Sequence, residues 1–118
     1  MTTGEWGEVR AARWLKERGF HIIARNYRCQ WGEIDLIAED EQYLVFVEVK
    51  TRSNTRFGTA GQAVNDSKQR KLTRAAQDWL LKQPSQRQPR FDVMEVYPAT
   101  RWTPEHIVHI PNAFEAIE

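Results

Sequence analysis

The sequence predicts one α/β domain in which helices flank a mixed β-sheet. Three observations support this: apolar residues recur at helical spacing in two segments, short runs alternate as strands do, and these elements follow the order α-β-β-β-α-β. At 118 residues, with 41% hydrophobic and 28% charged side chains, the chain has the size and composition of one globular domain. We therefore expect a single domain over residues 1–118.

The first predicted element is a helix from Gly4 to Arg18. Apolar residues recur along it at helical spacing, and Gly19 ends the pattern as a C-terminal cap would. Glu8 lies one turn before Ala12 and so borders the apolar stripe instead of the solvated face. Taken alone, this glutamate is explained at least as well by a surface helix charge.

Three strand-like runs follow the helix. Phe20 to Tyr27 is the least regular, whereas Glu33 to Glu39 and Tyr43 to Arg52 alternate clearly. The polar stretch 40–42 between the last two runs is typical of a hairpin turn.

The hairpin register follows from matching the two alternating patterns. Each strand has one apolar face and one face that becomes charged away from the turn, with Ile34, Leu36 and Ala38 sharing the apolar face of the first strand. An even, symmetric loop pairs Ile37 with Phe46, Asp35 with Glu48 and Glu33 with Lys50. A loop of odd length would instead place Asp35 opposite Val47.

The second half of the chain predicts a loop, a helix and one or two strands. Residues Asn54 to Asn65 form the loop, and Asn65, Asp66 or Ser67 caps a helix to about Lys82. The expected core stripe of this helix is Leu72, Ala75, Ala76, Trp79 and Leu80. Strands are predicted over Phe91 to Tyr97 and, more briefly, over Ile107 to Ile110.

Opposed carboxylates in the hairpin predict a metal ion. Asp35 and Glu48 would repel each other unless a cation lies between them or one is protonated, and Mg²⁺ or Mn²⁺ suits carboxylate ligands. The carbonyl of Val49 is a further candidate ligand, and Lys50 could position water or stabilise charge at phosphorus. The competing interpretation is a surface hairpin with ion pairs, of which Glu33 with Lys50 is the obvious one.

Charge is divided unevenly along a chain whose net charge is +1. Residues 50–90 carry 10 basic and 2 acidic side chains, which favours a surface that meets phosphates, although a solvated basic face is the alternative. The predicted nucleic-acid contacts are Arg52, Arg56, Lys68, Arg70, Lys71 and Arg74. Trp31 could stack on an unpaired base or simply cover the sheet edge.

The hairpin motifs resemble those of known families. Asp35 followed by Glu48-Val49-Lys50 resembles the D…(D/E)-x-K signature of restriction-endonuclease-like nucleases, which include archaeal Holliday-junction resolvases. More closely, the sequences GEIDLIA (32–38) and VFVEVKTR (45–52), with RFDV (90–93), resemble the YraN-like uncharacterised protein family of bacteria.

This resemblance implies a restriction-endonuclease-like αβββαβ core. Asp35 and Glu48 would bind metal, Lys50 would be catalytic and Glu8 would complete the acidic site. The superfamily's proline before the aspartate is replaced by Ile34. Symmetric junction-cutting relatives also suggest a homodimer.

The leading hypothesis is a Mg²⁺- or Mn²⁺-dependent endonuclease acting on nucleic acid, with DNA favoured over RNA. The alternatives are a non-catalytic nucleic-acid-binding or scaffold module and a plain interaction protein. We expect a cytoplasmic location, because Cys29 is the single cysteine, no export signal is evident and the longest apolar run is only residues 44–47.

Overall fold

Two helices cover opposite faces of a five-stranded sheet in the computed structural model of the chain, which describes residues 1–52 and 64–117. The elements are α1 (Thr3–Glu17), β1 (His21–Cys29), β2 (Gly32–Glu39), β3 (Tyr43–Thr51), α2 (Asp66–Lys82), β4 (Gln88–Tyr97) and β5 (His106–Phe114). The strands lie in the order β1-β2-β3-β4-β5; β3 and β4 are parallel, and the other neighbours are antiparallel. The predicted class, a mixed α/β fold of order αβββαβ, is confirmed.

The central strand β3 is buried on both faces. Leu44 and Phe46 pack in the cluster that includes the apolar residues of α2, whereas Val45 and Val47 pack in the cluster that includes those of α1. Because successive strand side chains point to opposite faces, one apolar run supplies both layers of the core.

Helix α1 approaches the end of β3 very closely. It begins at Thr3 with Thr2 as its N-cap, and Gly19 follows it with φ +91°, a left-handed conformation that favours glycine. A Cβ atom on Gly7 would lie 1.9 Å from Oγ1 of Thr51, so only glycine permits this approach. Glu8, the residue of α1 that follows Gly7, is therefore held close to the end of β3.

Helix α2 begins at Asp66, and its N-cap is Asn65, one of the three predicted caps. The side chain of Asn65 accepts a hydrogen bond from the amide of Lys68 at 2.9 Å, as an N-cap does. Leu72, Ala75 and Ala76 are buried as predicted, and Trp79 and Leu80 pack partly buried against the same cluster. Most of the loop predicted before α2 lies outside the described residues.

The predicted hairpin register is confirmed near the turn. Ile37 faces Phe46, and the ladder runs from Glu39–Leu44 to Leu36–Val47. It ends there, one position short of Asp35 and Glu48, so that the strands do not continue as a paired ladder into the charged region. The open end of the hairpin is where the acidic side chains lie.

The predicted face of β2 is wrong at this open end. Ile34 packs in the cluster on the α2 side, whereas Leu36 and Ala38 pack on the α1 side, although strict alternation would put all three together. Opposite Asp35 in β1 stands Asn26, whose φ of +51° is left-handed. A left-handed residue within a strand interrupts the regular pleat, which explains why alternation fails here.

The remaining strands are longer than predicted. β4 begins at Gln88, and β5 continues past Pro111 to Phe114. Pro111 is tolerated because β5 is the last strand of the described sheet and because Pro111 falls in the irregular stretch between the pairs Val93–Ile110 and Phe91–Phe114. Within the described residues, neither helix has the length and apolar character needed to cross a membrane.

Candidate functional site

Three carboxylates converge where α1 meets the open end of the hairpin. Glu8 comes from α1, and Glu33 and Asp35 come from β2; one carboxylate oxygen of each lies within 4.8 Å of the other two. All three residues are half-buried. The glycine at position 7 makes this possible, because it brings α1 against the end of β3. Hereafter these three residues are called the acidic cluster.

Asp35 has the most perturbed environment of the acidic cluster. Burial, together with the charge of Glu48, raises its pKa to about 7, against the opposing effect of a hydrogen bond from the amide of Val49 to Oδ2 at 2.8 Å. Asp35 therefore changes its charge near neutral pH. Val49 contacts Asp35 through its amide nitrogen, and the predicted metal contact of its carbonyl stays a prediction.

Glu48 is a nearly buried carboxylate with one oxygen unsatisfied. The residue is 4% exposed, and its Oε1 faces Nζ of Lys50 at 3.1 Å and Nζ of Lys68 at 3.6 Å. Its Oε2 is buried and has no hydrogen-bond partner within residues 1–52 and 64–117. Since a buried carboxylate oxygen without a donor is costly, this atom is suited to a cation.

Lys50 therefore lies beside Glu48, not opposite Glu33. The expected ion pair of Glu33 with Lys50 is wrong, because Glu33 pairs with Arg28 at 3.3 Å and Lys50 with Glu48. The reason is that the ladder ends at Leu36, so the cross-strand positions assumed for that pair do not form.

Asn26 is a member of this site that sequence reasoning missed. With its side-chain amide oriented so that the nitrogen faces the acids, it donates to both oxygens of Glu8 at 3.2 Å and to Oε1 of Glu33 at 3.0 Å. Burial raises the pKa of Glu8 more than this hydrogen bond lowers it, and the charge of Glu33 raises it further. The one available signal was an asparagine inside a strand-like run, where that residue type is depleted.

The predicted nucleic-acid contacts divide into several groups. Lys68 pairs with Glu48, and the guanidinium of Arg74 lies 5.2 Å from the ring of the exposed Trp31. Lys71 and Arg70 are exposed on α2, Arg52 pairs with Glu95, and Arg56 lies outside the described residues. The start of α2 thus brings basic side chains next to Glu48.

The donor set of the site fits a hard divalent cation. The acidic cluster and Oε2 of Glu48 offer only carboxylate oxygens, which Mg²⁺ and Mn²⁺ prefer over the softer ligands of zinc or copper. His106 and His109 lie apart from it, the former stacked on Tyr97 and the latter paired with Asp92. An ammonium at 3.1 Å from one of these carboxylates adds a group able to act on an anionic substrate.

The fold and the site together define an α/β protein that has a site of carboxylates and a lysine at the open end of the hairpin. The chain belongs to the uncharacterised protein family UPF0102, whose model matches residues 7–96. The resemblance to YraN-like proteins is thereby confirmed.

Several similar proteins share this family name over nearly their whole length. A UPF0102 protein of Geotalea daltonii is 48% identical over 115 residues, covering 97% of this chain and 90% of that protein. One of Symbiobacterium thermophilum is 55% identical over 96 residues, covering 80% and 81%, and one of Nocardia farcinica is 47% identical, covering 94% and 87%.

Proposed function

We propose that this chain is a metal-dependent nuclease that hydrolyses phosphodiester bonds of nucleic acid, with DNA as the first substrate to test. The observation that carries the proposal is the state of Glu48, whose buried Oε2 has no donor among the described residues while its Oε1 holds the ammonium of Lys50. Because the charge of Glu48 also acts on Asp35 and Glu8, this oxygen lies among carboxylates that a divalent cation would neutralise.

The residues that would hold a divalent cation are Asp35 and Glu48, with Glu8 completing the acidic site. Their charges act on one another, since Glu48 raises the pKa of both Asp35 and Glu8. Bound Mg²⁺ or Mn²⁺ supplies a Lewis acid that activates water and neutralises charge on the phosphate. The bound cation would then relieve the electrostatic repulsion among these carboxylates.

Lys50 is proposed to act on the phosphate directly. Its side chain is half-exposed and fixed by Glu48, so that its ammonium is held beside the metal ligands and remains within reach of solvent. As water attacks phosphorus in line with the leaving sugar oxygen, negative charge grows on the non-bridging oxygens. A fixed ammonium stabilises that charge more than it stabilises the substrate.

Basic residues near the site are proposed to hold the polyanion. Arg70 and Lys71 are exposed in the first two turns of α2, where cations are unfavourable to the helix dipole, so their presence favours an external anion; Lys68 borders them and pairs with Glu48. The homodimer expected from the resemblance stays a prediction, which light scattering of the purified protein would test.

The decisive experiment incubates the purified protein with end-labelled single-stranded, duplex, flap and four-way DNA in Mg²⁺, Mn²⁺ or EDTA. We expect metal-dependent cleavage of at least one substrate, lost in Lys50→Ala and Glu48→Gln. Lys16→Ala is the matched control, because Lys16 is an exposed lysine in the last turn of α1, about two helical turns beyond Glu8. Equal cleavage by wild type and Lys50→Ala would contradict the role of Lys50.

Calorimetry of Mn²⁺ binding separates the metal site from catalysis. Wild type should bind Mn²⁺, and Asp35→Asn, which removes one charge without changing shape, should bind it at least tenfold more weakly, the loss expected when about 1.4 kcal/mol of ligand interaction is removed. Salt-dependent binding of DNA with neither metal binding nor cleavage would instead support the non-catalytic binding module. Absence of both DNA binding and metal binding would leave neither function standing.

A further inference from the structure

A second buried glutamate, Glu95 of β4, lies beside the proposed site. It is 3% exposed, and its Oε2 accepts hydrogen bonds from Nε of Arg52 and from the hydroxyl of Tyr97, both at 2.8 Å. Its Oε1 is buried without a hydrogen-bond partner in the part of the chain that the structure describes. The metal-dependent chemistry proposed above makes no use of this group.

The position of Glu95 is fixed relative to Lys50 by the parallel ladder. Lys50 and Glu95 are direct partners across β3 and β4. Arg52 follows Lys50 by two positions, and its amide donates to the carbonyl of Val96 at 2.9 Å, which continues the ladder past the end of β3. Glu48, Lys50 and Arg52 therefore follow one another at a spacing of about 6.6 Å along one edge of the site.

The ion pair holds Arg52 in a defined conformation. The contact with Glu95 uses Nε, and a guanidinium has four further N–H donors on its two terminal nitrogens, which suit bidentate contact with phosphate. Arg52 is 33% exposed, so it is reachable from solvent although its partner is not. An arginine that is already fixed loses less side-chain entropy when it binds a ligand.

Stability alone does not explain why a buried, ion-paired carboxylate occupies position 95. Burying an ionised carboxylate costs several kcal/mol in desolvation, and well-packed apolar residues of similar volume often stabilise a protein equally or better. The neighbour Val93 shows that this strand accepts such residues at the adjacent position of the same face. The free-energy cost of burying the Glu95 carboxylate is explained if Arg52 must be held in one conformation.

We propose that Glu95 is a positioning residue that holds the guanidinium of Arg52 to bind the nucleic-acid phosphate adjoining the one attacked beside Lys50. This inference rests on the proposed function. Its ligand is the sugar–phosphate backbone, so the contact adds affinity without sequence preference.

The test measures binding of a fluorescent DNA oligonucleotide in EDTA at several salt concentrations, so that cleavage plays no part. Arg52→Ala should reduce the slope of log K against log salt by about one phosphate contact. Glu95→Gln should weaken binding about three- to tenfold, and the double variant should bind no more weakly than Arg52→Ala. The matched control is the exposed pair Arg10 and Glu105, at 3.5 Å, where Arg10→Ala and Glu105→Gln should leave the affinity within about twofold of wild type.

The sign of the Glu95→Gln effect separates positioning from simple electrostatics. Removing a negative charge near a polyanion site strengthens binding if charge alone matters, whereas replacing the charged acceptor of Arg52 by a neutral amide oxygen loosens the guanidinium and weakens binding. Stronger or unchanged binding by Glu95→Gln would therefore overturn the proposal. If Glu95→Gln does not fold, Tyr97→Phe, which removes one donor to the same oxygen, should weaken binding in the same direction, and unchanged binding by it would count against the proposal.

The outcomes distinguish this inference from the proposed function. A wild type that binds no nucleic acid in any form overturns both. A wild type that binds and cleaves DNA, with Arg52→Ala indistinguishable from it, overturns the inference and leaves the nuclease proposal intact.

Discussion

Asp35 and Asp92 are two aspartates in the same sheet, and their surroundings have opposite effects on them. Asp92 is fully buried in β4, with Arg90 donating to both its oxygens at 2.8 Å, His109 at 2.7 Å and the amide of Asn112 at 3.0 Å. Burial acts to raise the pKa of Asp92, but these hydrogen bonds outweigh it and the pKa is lowered. Asp35 has one amide donor and carboxylate neighbours, and its pKa rises to about 7.

The difference shows that partners, more than burial, decide what a buried carboxylate does. Each oxygen of Asp92 has donors from β4 itself and from β5, so its charge ties the last strand to the sheet. Asp35 stands among like charges that nothing in the described part of the chain fully compensates. The first arrangement contributes stability, whereas the second lowers it.

The largest effect is expected from Asp92→Asn. This change keeps the shape of the side chain but leaves the nearly buried Arg90 without its counter-charge, which should lower the free energy of unfolding by about 3 kcal/mol. Chemical denaturation at pH 7.5 in EDTA measures it. Asp35→Asn is the matched control, since its amide oxygen can still accept from Val49 while one repulsive charge is lost.

Asp35→Asn should therefore unfold at the same or a higher denaturant concentration than wild type. A loss of stability in Asp35→Asn comparable to that in Asp92→Asn would show that the contrast between the two aspartates is wrong.

Asp35 should also cause a pH dependence of stability, whose size per pH unit is smaller than the effect of Asp92→Asn. Because its pKa is raised from 3.8 to about 7 by folding, the folded state binds more protons than the unfolded state between these values. Its contribution is fully present below pH 3.8 and is lost as pH rises to about 7, with a slope of up to about 1.4 kcal/mol per pH unit. Subtracting the Asp35→Asn curve from the wild-type curve, both in EDTA, isolates this contribution.

Asp92 gives the opposite sign and a different pH window. Its lowered pKa contributes stability that is present above pH 3.8 and lost below it. A difference curve for Asp35 that stays flat, or rises between pH 4 and 7, would contradict the raised pKa.

The sequence predicted the regular part of the hairpin and failed where regularity ends. Ile37 faces Phe46 as expected, because two apolar patterns can be matched in only one register that buries both. The faces of Ile34 and Leu36 could not be predicted, since alternation assumes extended residues throughout and Asn26 on the neighbouring strand is left-handed. Backbone conformation at one asparagine is not encoded in a pattern of hydrophobicity.

The sequence indicated part of the candidate site but not its arrangement. Side-chain types and spacing indicated Asp35, Glu48 and Lys50, because opposed carboxylates need an explanation. The partners of these residues depend on how helices pack against the sheet: Lys68 reaches Glu48 from α2, and Gly7 allows α1 to approach Thr51. Contacts between elements distant in sequence leave no mark on local spacing.

The smallest predicted effect separates the backbone of Asn26 from its side chain. Asn26→Gly and Asn26→Ala both remove the amide that lies between Glu8 and Glu33, so both should lose stability in EDTA through unrelieved repulsion. Alanine also places a Cβ at φ +51°, whereas glycine adopts this conformation freely, so Asn26→Ala should be less stable than Asn26→Gly by about 1 kcal/mol.

Saturating Mn²⁺ should restore only one part of the stability that the two Asn26 variants lose. Neutralising the carboxylates should reduce the deficit that the two variants share relative to wild type, while the difference between alanine and glycine, which comes from the backbone, should not change. Denaturation of the three proteins with Mn²⁺ and with EDTA measures both quantities. If Mn²⁺ leaves the shared deficit unaltered, then the side-chain amide of Asn26 does not relieve the repulsion between Glu8 and Glu33. The role of Asn26 at the site would then be confined to its left-handed backbone conformation in β1.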